Sequence, residues 1–316
     1  MSMPEPLVLD LATAAQITAR LEEPFDARRV RRFENVSAEV FEIEGDDDRA
    51  VILKAYADEP AWKLRKEAFV AGLFAAVAEV PRWLTVDESR TRLARRFVIM
   101  TRLPGVSVRD RFGREGAPAL FREMGALLWR LHDVSMPRHG YLLETDVAEP
   151  FATNAARMAA AFEAKYRDFR GWGGEPGLCG RIERFVAARA TALAECGGAV
   201  LCHNDFHPGN VLAAQAPDGG WRLSGLVDFE NAVAGDPLFD LAKALDYTAH
   251  ECPSGRDPLA EGYGPLERPG AAEAIEVYRV YHKLELLNWF KAIGEGRFGP
   301  ATSTLIDDLD GMTAGA

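Results

Sequence analysis

A short polar stretch in the second half of the chain carries residue types that can take part in catalysis. Between the apolar runs Ala199-Val200-Leu201 and Val211-Leu212-Ala213 lies His203-Asn204-Asp205-Phe206-His207-Pro208-Gly209-Asn210. Pro and Gly interrupt a strand, so the stretch predicts a loop between two strands. Strand packing requires neither a carboxylate nor a carboxamide in this loop. We therefore interpret Asp205 and Asn210 as candidate functional residues. The alternative is that Asp205 is a turn carboxylate.

Other candidates lie on both sides of this loop in the sequence. Asp228, in Val227-Asp228-Phe229-Glu230, offers a carboxylate oxygen that would suit Mg²⁺ together with the Asn210 carbonyl. Lys54 ends the apolar run Val51-Ile52-Leu53, where a lysine is costly unless it is paired. Glu67, in the next predicted helix, is its candidate partner. A water-facing lysine on an edge strand is the alternative for Lys54.

The spacing His-x-Asp-x-x-x-x-Asn resembles the catalytic loop of protein-kinase-like phosphotransferases. With Pro208-Gly209 inside the loop and Gly235-Asp236-Pro237 after Asp228, the chain resembles the aminoglycoside phosphotransferase family from about Val36 to Trp289. The resemblance implies transfer of the γ-phosphate of ATP, with GTP as the alternative, to a hydroxyl group of a small molecule. Asp205 would be the catalytic base or would orient the attacking hydroxyl group, and Mg²⁺ would be the metal cofactor.

The resemblance also implies a nucleotide site in the N-terminal part. Lys54, paired with Glu67, would contact the phosphates. The segment around Thr101 and Leu103 would be a hinge whose backbone binds the adenine edge. Ser37 lies where protein kinases have a glycine-rich loop, and it is a candidate phosphate contact.

Structural roles are expected for three further polar residues near the loop. His203 stands at the end of a strand and is expected to brace the loop. Asp236, followed by Pro237, is expected to cap a helix, and Asp240 to tie the loop from that helix.

Residue periodicity and the resemblance predict an α+β, two-lobed protein-kinase-like fold. The small β-sheet lobe with one helix, residues 1–101, would bind the nucleotide. The larger, mainly helical lobe, residues 102–316, would carry catalysis and acceptor binding. Strands are expected at 38–44, 50–56, 83–87 and 96–103 with a helix at 59–77, and later helices at 152–169, 181–196 and 271–293.

Composition limits the partners. The 316 residues are 48% hydrophobic, with net charge −11 and pI about 5.2, which argues against a nucleic-acid partner. Four cysteines show neither metal-ligand nor disulfide spacing. No signal peptide or membrane span is evident, so we expect a cytoplasmic protein, a monomer or dimer, that does not bind membranes.

The acceptor is expected to be small, hydroxylated, and cationic or polyhydroxylated. Glu230, Tyr281, Glu285, Asn288 and Trp289 are the candidate acceptor contacts, the last four at near-helical spacing. An aminoglycoside acceptor would imply antibiotic resistance, whereas macrolides, choline, sugars, homoserine and methylthioribose are the alternatives within the same fold. A nucleotide-binding regulator without turnover and a helical interaction module are the alternatives from other classes.

Overall fold

The structure is a computed structural model that describes residues 7–33, 39–46, 49–56, 60–113, 117–294 and 299–316. Its first elements are α1 (Leu11–Thr18), β1 (Ala27–Phe33), β2 (Glu39–Gly45), β3 (Ala50–Tyr56), α2 (Ala61–Phe74), β4 (Trp83–Asp87), β5 (Arg96–Thr101) and β6 (Val106–Ser107). They are followed by α3 (Val108–Phe112), α4 (Pro118–Leu131), β7 (Ser135–Met136), β8 (His139–Leu143), β9 (Asp146–Phe151), α5 (Asn154–Gly171), α6 (Pro176–Ala188), α7 (Ala190–Ala194), β10 (Ala199–Cys202), β11 (Val211–Gln215), β12 (Trp221–Leu226), β13 (Val233–Gly235), α8 (Pro237–Glu251), α9 (Arg256–Tyr263), α10 (Ala271–Ile293) and α11 (Gly299–Thr313).

The chain forms two compact units, each built from separate stretches. Unit 1 comprises Met1–Val108, Leu143–Asp146 and Asn210–Glu230, and unit 2 comprises Arg109–Leu142, Val147–Gly209 and Asn231–Ala316. The division therefore falls inside the polar loop, after Gly209. The expected functional division into a nucleotide lobe ending at residue 101 and an acceptor lobe stays a prediction.

Unit 1 contains an antiparallel sheet in the order β1-β2-β3-β5-β4. A smaller sheet, β12-β11-β6, contains the antiparallel hairpin of β11 and β12. Strand β1 is an edge strand, on which Arg29 and Arg31 are exposed and pair with Glu44 and Glu42 of β2. The predicted β-sheet part of the fold is confirmed.

Unit 2 is mainly helical, as expected, and its long helix α10 packs against α8, α5 and α11. It also contains a sheet that was not predicted, in the order β7-β10-β13-β8-β9. Several of these strands are only two to four residues long, too short to show a period-two pattern. The predicted helix 271–293 is present but is not the last one, because α11 follows it. No helix in the described ranges has both the length and the apolarity needed to cross a membrane.

Candidate functional site

The alternation of strand β3 places Lys54 against helix α2. Val51, Leu53 and Ala55 point into one core cluster of unit 1. The other face of the strand packs with Leu64 of α2 through Tyr56. Lys54 lies on this second face, because side chains alternate along a strand, and only 5% of its surface is exposed. The alternative of a water-facing edge lysine is thereby excluded.

Three carboxylates of unit 1 surround the Lys54 ammonium. Its Nζ donates to Glu67 Oε1 at 2.7 Å and to Asp228 Oδ1 at 3.0 Å, and lies 3.7 Å from Glu230 Oε2. Glu67 is therefore the partner of Lys54, as the sequence predicted. Glu230, which was predicted as an acceptor contact, lies in this carboxylate cluster.

The charges of this cluster shift the pKa values of its members. Burial alone would lower the pKa of Lys54, but the charges of Asp228 and Glu67 outweigh it and hold the pKa well above its usual value. Burial raises the pKa of Glu67 to about 7, with further raising by Asp228 and Glu230 and an opposing effect of Lys54. The negative charge of the three carboxylates therefore exceeds the single positive charge of Lys54.

The segment that carries Asp228 is held at several points within unit 1. The Val227 N–H donates to the Asn210 carbonyl at 3.0 Å, so the two predicted metal-binding positions are linked through the backbone. Asp228 has a φ of 69°, in the left-handed region that non-glycine residues rarely adopt. Phe229 is fully buried and packs on Phe74 of α2, with ring centroids 5.8 Å apart.

In unit 2, Asp240 holds the beginning of the polar loop. Its carboxylate accepts the backbone N–H groups of His203 at 2.6 Å and Asn204 at 2.8 Å, which confirms the predicted tie. The His132 ring lies 3.3 Å from the same carboxylate. Burial raises the pKa of Asp240, but the hydrogen bond and charge of His132 and the backbone donors hold it below its usual value. His203 is fully buried, as expected for a residue that braces the loop.

The turn before Asp205 is fixed through Asn204. This residue has a φ of 56°, which Asn tolerates better than most residues. Its side-chain amide donates to the Asn231 carbonyl at 3.0 Å, and its own carbonyl accepts from Lys243 Nζ at 2.7 Å. The backbone that presents Asp205 is thus held from helix α8 and from the segment before β13.

Two cationic or titratable groups flank the Asp205 carboxylate. Lys243 Nζ lies 3.9 Å from its Oδ1, and His207 Nε2 lies 4.0 Å from its Oδ2. His207 is in turn hydrogen-bonded to Glu251 at 3.0 Å through Nδ1. Burial would lower the pKa of Lys243, but its acidic neighbours Tyr247, Asp205 and Glu285 keep it above its usual value. Lys243 therefore stays protonated at neutral pH.

Asp236 anchors the start of α8. It is the N-cap of the helix, as predicted, and its Oδ1 accepts the Leu238 N–H at 2.9 Å. Its other oxygen accepts from Tyr278 at 2.6 Å and from Arg268 at 2.8 Å. The buried cap thus connects α8 to α10 and to the segment before it.

The predicted acceptor contacts on α10 have different surroundings. Tyr281 is buried against the rings of Phe162 and Phe239. Asn288 bridges Trp172 and the Lys165 carbonyl by hydrogen bonds of 2.8 and 2.9 Å. Trp289 is 41% exposed.

Glu285 has a different environment, because its carboxylate lies among cationic and titratable groups. Lys165 is 3.4 Å away and Lys243 is 4.0 Å away. His282 and Lys243 outweigh the effect of burial and lower the pKa of Glu285. Among the α10 candidates, Glu285 is the one that shares a neighbour, Lys243, with Asp205.

The predicted nucleotide contacts at the hinge lie in unit 1. Thr101 ends β5, and its hydroxyl accepts the Arg82 N–H at 2.9 Å. Leu103 packs against Gly225 of β12 so closely that a Cβ there would lie 2.4 Å from the leucine side chain. Ser37 lies outside the described residues.

Two buried lysines of these networks were not predicted. Lys243 stands in Leu241-Ala242-Lys243-Ala244-Leu245, an apolar context like that of Lys54, and the same cost argument would have found it. Lys66 is fully buried on α2 beside Glu67, and its Nζ donates to the Glu230 carbonyl at 2.6 Å. Nothing local in the sequence distinguishes it from the neighbouring surface cations Lys63 and Arg65.

The chain is similar in sequence to a curated kinase over part of its length. It is 28% identical over 109 residues to the N-acetylmuramate/N-acetylglucosamine kinase of Caulobacter vibrioides. The match covers 34% of this chain and 30% of that protein, so the chain matches less than a third of the relative's length.

Solved structures with the same fold cover nearly the whole chain. Aminoglycoside phosphotransferase APH(4)-Ia superposes with a TM-score of 0.71 at 16% identity, covering 97% of this chain and 100% of its own. A thermostable mutant of that protein was solved as a ternary complex with ADP and hygromycin B, with a TM-score of 0.71, 15% identity, and coverage of 97% and 99%. A choline/ethanolamine kinase family protein from Mesorhizobium loti gives 0.66 at 16% identity, covering 96% and 94%. The predicted protein-kinase-like fold is confirmed.

The sequence profile described as "Phosphotransferase enzyme family" matches residues 29–276. That range includes β3, α2, the polar loop, Asp228 and the capped start of α8. The predicted activity, that of a small-molecule kinase, agrees with this match and with the curated relative. More than half of the sequence is covered, and the chain belongs to the phosphotransferase enzyme family.

Proposed function

We propose that this protein transfers the γ-phosphate of ATP to a hydroxyl group of a small molecule, using Mg²⁺. The observation that carries the proposal is the buried ammonium of Lys54, which contacts Glu67 and Asp228 within unit 1. A lysine kept protonated by buried carboxylates suits the binding of nucleotide phosphates. Thr101 and Leu103 are the proposed adenine contacts, Ser37 is a further proposed phosphate contact, and GTP is the alternative nucleotide.

The donor atoms of unit 1 fit a divalent cation. Carboxylate oxygens of Glu67, Asp228 and Glu230 lie within 4.8 Å of one another, and the Lys54 ammonium neutralises part of their charge. Hard oxygen donors with excess negative charge suit Mg²⁺. We assign Asp228 and Asn210 as the metal ligands, with Glu230 as an additional carboxylate of the site. Bound Mg²⁺ would supply charge shielding for the transferred phosphoryl group.

Asp205 is the proposed group that handles the acceptor proton. Its carboxylate would accept a hydrogen bond from the attacking hydroxyl and then take its proton. The ammonium of Lys243 lies 3.9 Å from this carboxylate, on the side where its Oδ1 points. Asp240 and Asn204 would fix the loop, so that the carboxylate keeps one orientation toward the acceptor.

The local charges favour an uncharged, polyhydroxylated acceptor such as a sugar. Around Asp205 in unit 2, Glu285 is paired with Lys165 and lies near Lys243, and Glu251 is hydrogen-bonded to His207. A polycation would have to compete with these existing partners for the carboxylates. A kinase of N-acetylmuramate and N-acetylglucosamine among the relatives agrees with a sugar acceptor.

A cationic acceptor is the second candidate, because the net charge of −11 would attract amines. An aminoglycoside acceptor would make the protein an antibiotic-resistance enzyme, and hygromycin B is bound in three of the similar structures. We propose that the protein acts in the cytoplasm, as a monomer or dimer, and without nucleic-acid or membrane partners.

The test is ADP formation from ATP and Mg²⁺ with a panel of acceptors: neutral sugars, amino sugars, choline and aminoglycosides. With the best acceptor, Asp205→Asn should lower kcat about a hundred-fold or more, the range for a positioned acid–base group, without changing the melting temperature. Asp218→Asn, at an exposed turn of unit 1, is the control and should keep full turnover. Turnover of Asp205→Asn close to wild type would remove Asp205 from the mechanism. If the protein binds ATP but phosphorylates no acceptor of the panel, the alternative of a nucleotide-binding regulator without turnover is favoured.

A further inference from the structure

Lys66 of helix α2 is a fully buried lysine in a unit whose other buried lysine, Lys54, has a proposed catalytic role. Burial lowers the pKa of Lys66 to about 7, although Glu67 and Glu230 oppose the shift. A core position on a helix is normally filled by an apolar side chain, because an ammonium loses its hydration there. The lysine at this position forms a hydrogen bond that an apolar side chain could not form.

That hydrogen bond ends on the segment after Asp228. Lys66 Nζ donates to the Glu230 carbonyl at 2.6 Å, two residues beyond Asp228. Asp228 itself has a left-handed backbone conformation, which is unfavourable for a non-glycine residue and persists only where the surroundings impose it. Phe229, between the two, is fixed by packing on Phe74.

Helix α2 thus reaches this segment at separate points. Glu67 holds Lys54, which contacts the Asp228 carboxylate. Phe74 packs on Phe229, and Lys66 binds the backbone of Glu230. The hydrogen bond from Lys66 holds the backbone at Glu230, two residues after the strained residue Asp228. A change of backbone direction at this point would turn the Asp228 side chain.

We infer that Lys66 is a positioning residue that fixes the backbone at Glu230 and thereby aims the Asp228 carboxylate at the metal. The inference rests on the proposed function, in which Asp228 is a ligand of Mg²⁺. Groups that orient metal ligands without touching the metal typically change metal affinity about ten-fold to a hundred-fold when they are removed.

The experiment compares Lys66→Met with Arg65→Met. Arg65 is the preceding residue of the same helix, but its side chain is exposed and pairs with Glu88 and Glu144 at the surface. Calorimetry measures the affinity of each protein for ADP, once with Mg²⁺ and once with EDTA. Asp228→Ala is included as the variant that removes the proposed metal ligand itself.

In EDTA, we expect Lys66→Met to bind ADP with the affinity of wild type. In Mg²⁺, we expect its affinity for ADP to be about ten-fold lower than that of wild type. Its free energy of unfolding at pH 7 should be equal to or higher than that of wild type, because a desolvated ammonium has been removed. Arg65→Met should match wild type in both affinities. A purely structural residue would change stability. A variant that keeps its stability but binds ADP less tightly in Mg²⁺ therefore indicates a positioning role for Lys66.

Either of two results would overturn the inference about Lys66 and leave the proposed function intact. In the first, Asp228→Ala loses the effect of Mg²⁺ while Lys66→Met keeps it in full. In the second, Lys66→Met is destabilised and loses ADP affinity equally with Mg²⁺ and EDTA, which is the behaviour of a structural residue. If wild type shows no effect of Mg²⁺, or Asp228→Ala leaves it unchanged, the metal assignment fails and the inference fails with it.

Discussion

Replacing Asp240 by Asn should destabilise unit 2 by roughly 3 kcal/mol. The Asp240 carboxylate is fully buried and accepts the backbone N–H groups of His203 and Asn204 at 2.6 and 2.8 Å. Hydrogen bonds to a charged group contribute about 1.5 to 3 kcal/mol each. An asparagine can keep one of them through its single oxygen, but its NH₂ group would face the other donor and leave that donor unpaired, at a further cost of about 1 to 3 kcal/mol.

The matched control is Asp246→Asn on the same helix. Asp246 accepts from Arg279 at 2.8 Å, and the arginine side chain is about one third exposed. Such an ion pair contributes about 1 kcal/mol or less. Urea unfolding at pH 7 gives both free energies, and for a domain of 150 to 250 residues the melting temperature should fall by about 6 to 12 °C in Asp240→Asn. Equal losses of unfolding free energy in the two variants would refute the argument that the backbone hydrogen bonds accepted by Asp240 stabilise the loop.

The pH dependence of this difference follows from the pKa of Asp240. Despite burial, the hydrogen bond and charge of His132 and the backbone donors hold this pKa below its ordinary value of 3.8. A carboxyl group whose pKa is depressed by folding stabilises the native state above its unfolded pKa, and this contribution is lost as the pH falls through the folded pKa. The contribution of the ionised Asp240 carboxylate to this difference should therefore be lost as the pH falls below about 4. A difference that did not narrow below pH 4 would contradict the assigned ionisation.

Three further predictions concern the proposed reaction. Lys54→Ala should weaken ATP binding about ten-fold or more by calorimetry but leave the KM of the acceptor unchanged, since the ammonium is asked to hold phosphate charge; unchanged nucleotide affinity and turnover would contradict its role. Asp228→Ala should shift the Mg²⁺ titration of activity to higher concentration, and identical curves would refute the metal assignment. If the acceptor is an amine, its KM should rise with salt, whereas a neutral sugar should be indifferent.

The candidate residues that could be named from the sequence are those whose signal is local, and the roles of Asp205 and Asn210 stay predictions. Asp205 and Asn210 stand in a loop whose Pro-Gly pair and flanking apolar runs can be recognised without knowing the fold. Lys54 could be recognised because a lysine inside a β-rich apolar run is costly unless it is paired. Its candidate partner Glu67 lies in the next predicted helix, and the ion pair of 2.7 Å is present.

The residues that the sequence missed depend on contacts between distant parts of the chain. Lys66 contacts a carbonyl 164 positions away, and Lys243 contacts one 39 positions away. Glu230 was predicted at the acceptor because its position in the chain does not specify the direction of its side chain, which the left-handed backbone of Asp228 helps to set. Only the folded backbone brings these groups together.

The fold was predicted best where elements are long and periodic. Helix α10 has the expected bounds, and the strand pattern of 83–87 matches β4. Strand β1 was not predicted, because arginine occupies four of its seven positions and hides the alternation, although Val30 faces the core cluster. Helix α11 lacks a pronounced apolar stripe, since its 15 residues include three threonines, a serine and three aspartates.

Net charge and local charge lead to different expectations for the acceptor. The chain beyond Thr101 has 22 basic and 30 acidic residues, an excess that attracts cations over about the Debye length of 8 to 10 Å. At Asp205, however, the distances to Lys243 and His207 are 3.9 and 4.0 Å, well inside that length. In the proposed reaction, we therefore expect these local pairs to decide which chemical groups of an acceptor can bind beside Asp205. A hydroxyl group can accept from the lysine and donate to Asp205, whereas an ammonium group would be repelled by Lys243 at the same position. The net acidity should act on the rate of encounter, and the hydrogen-bonding groups of unit 2 on the choice of acceptor.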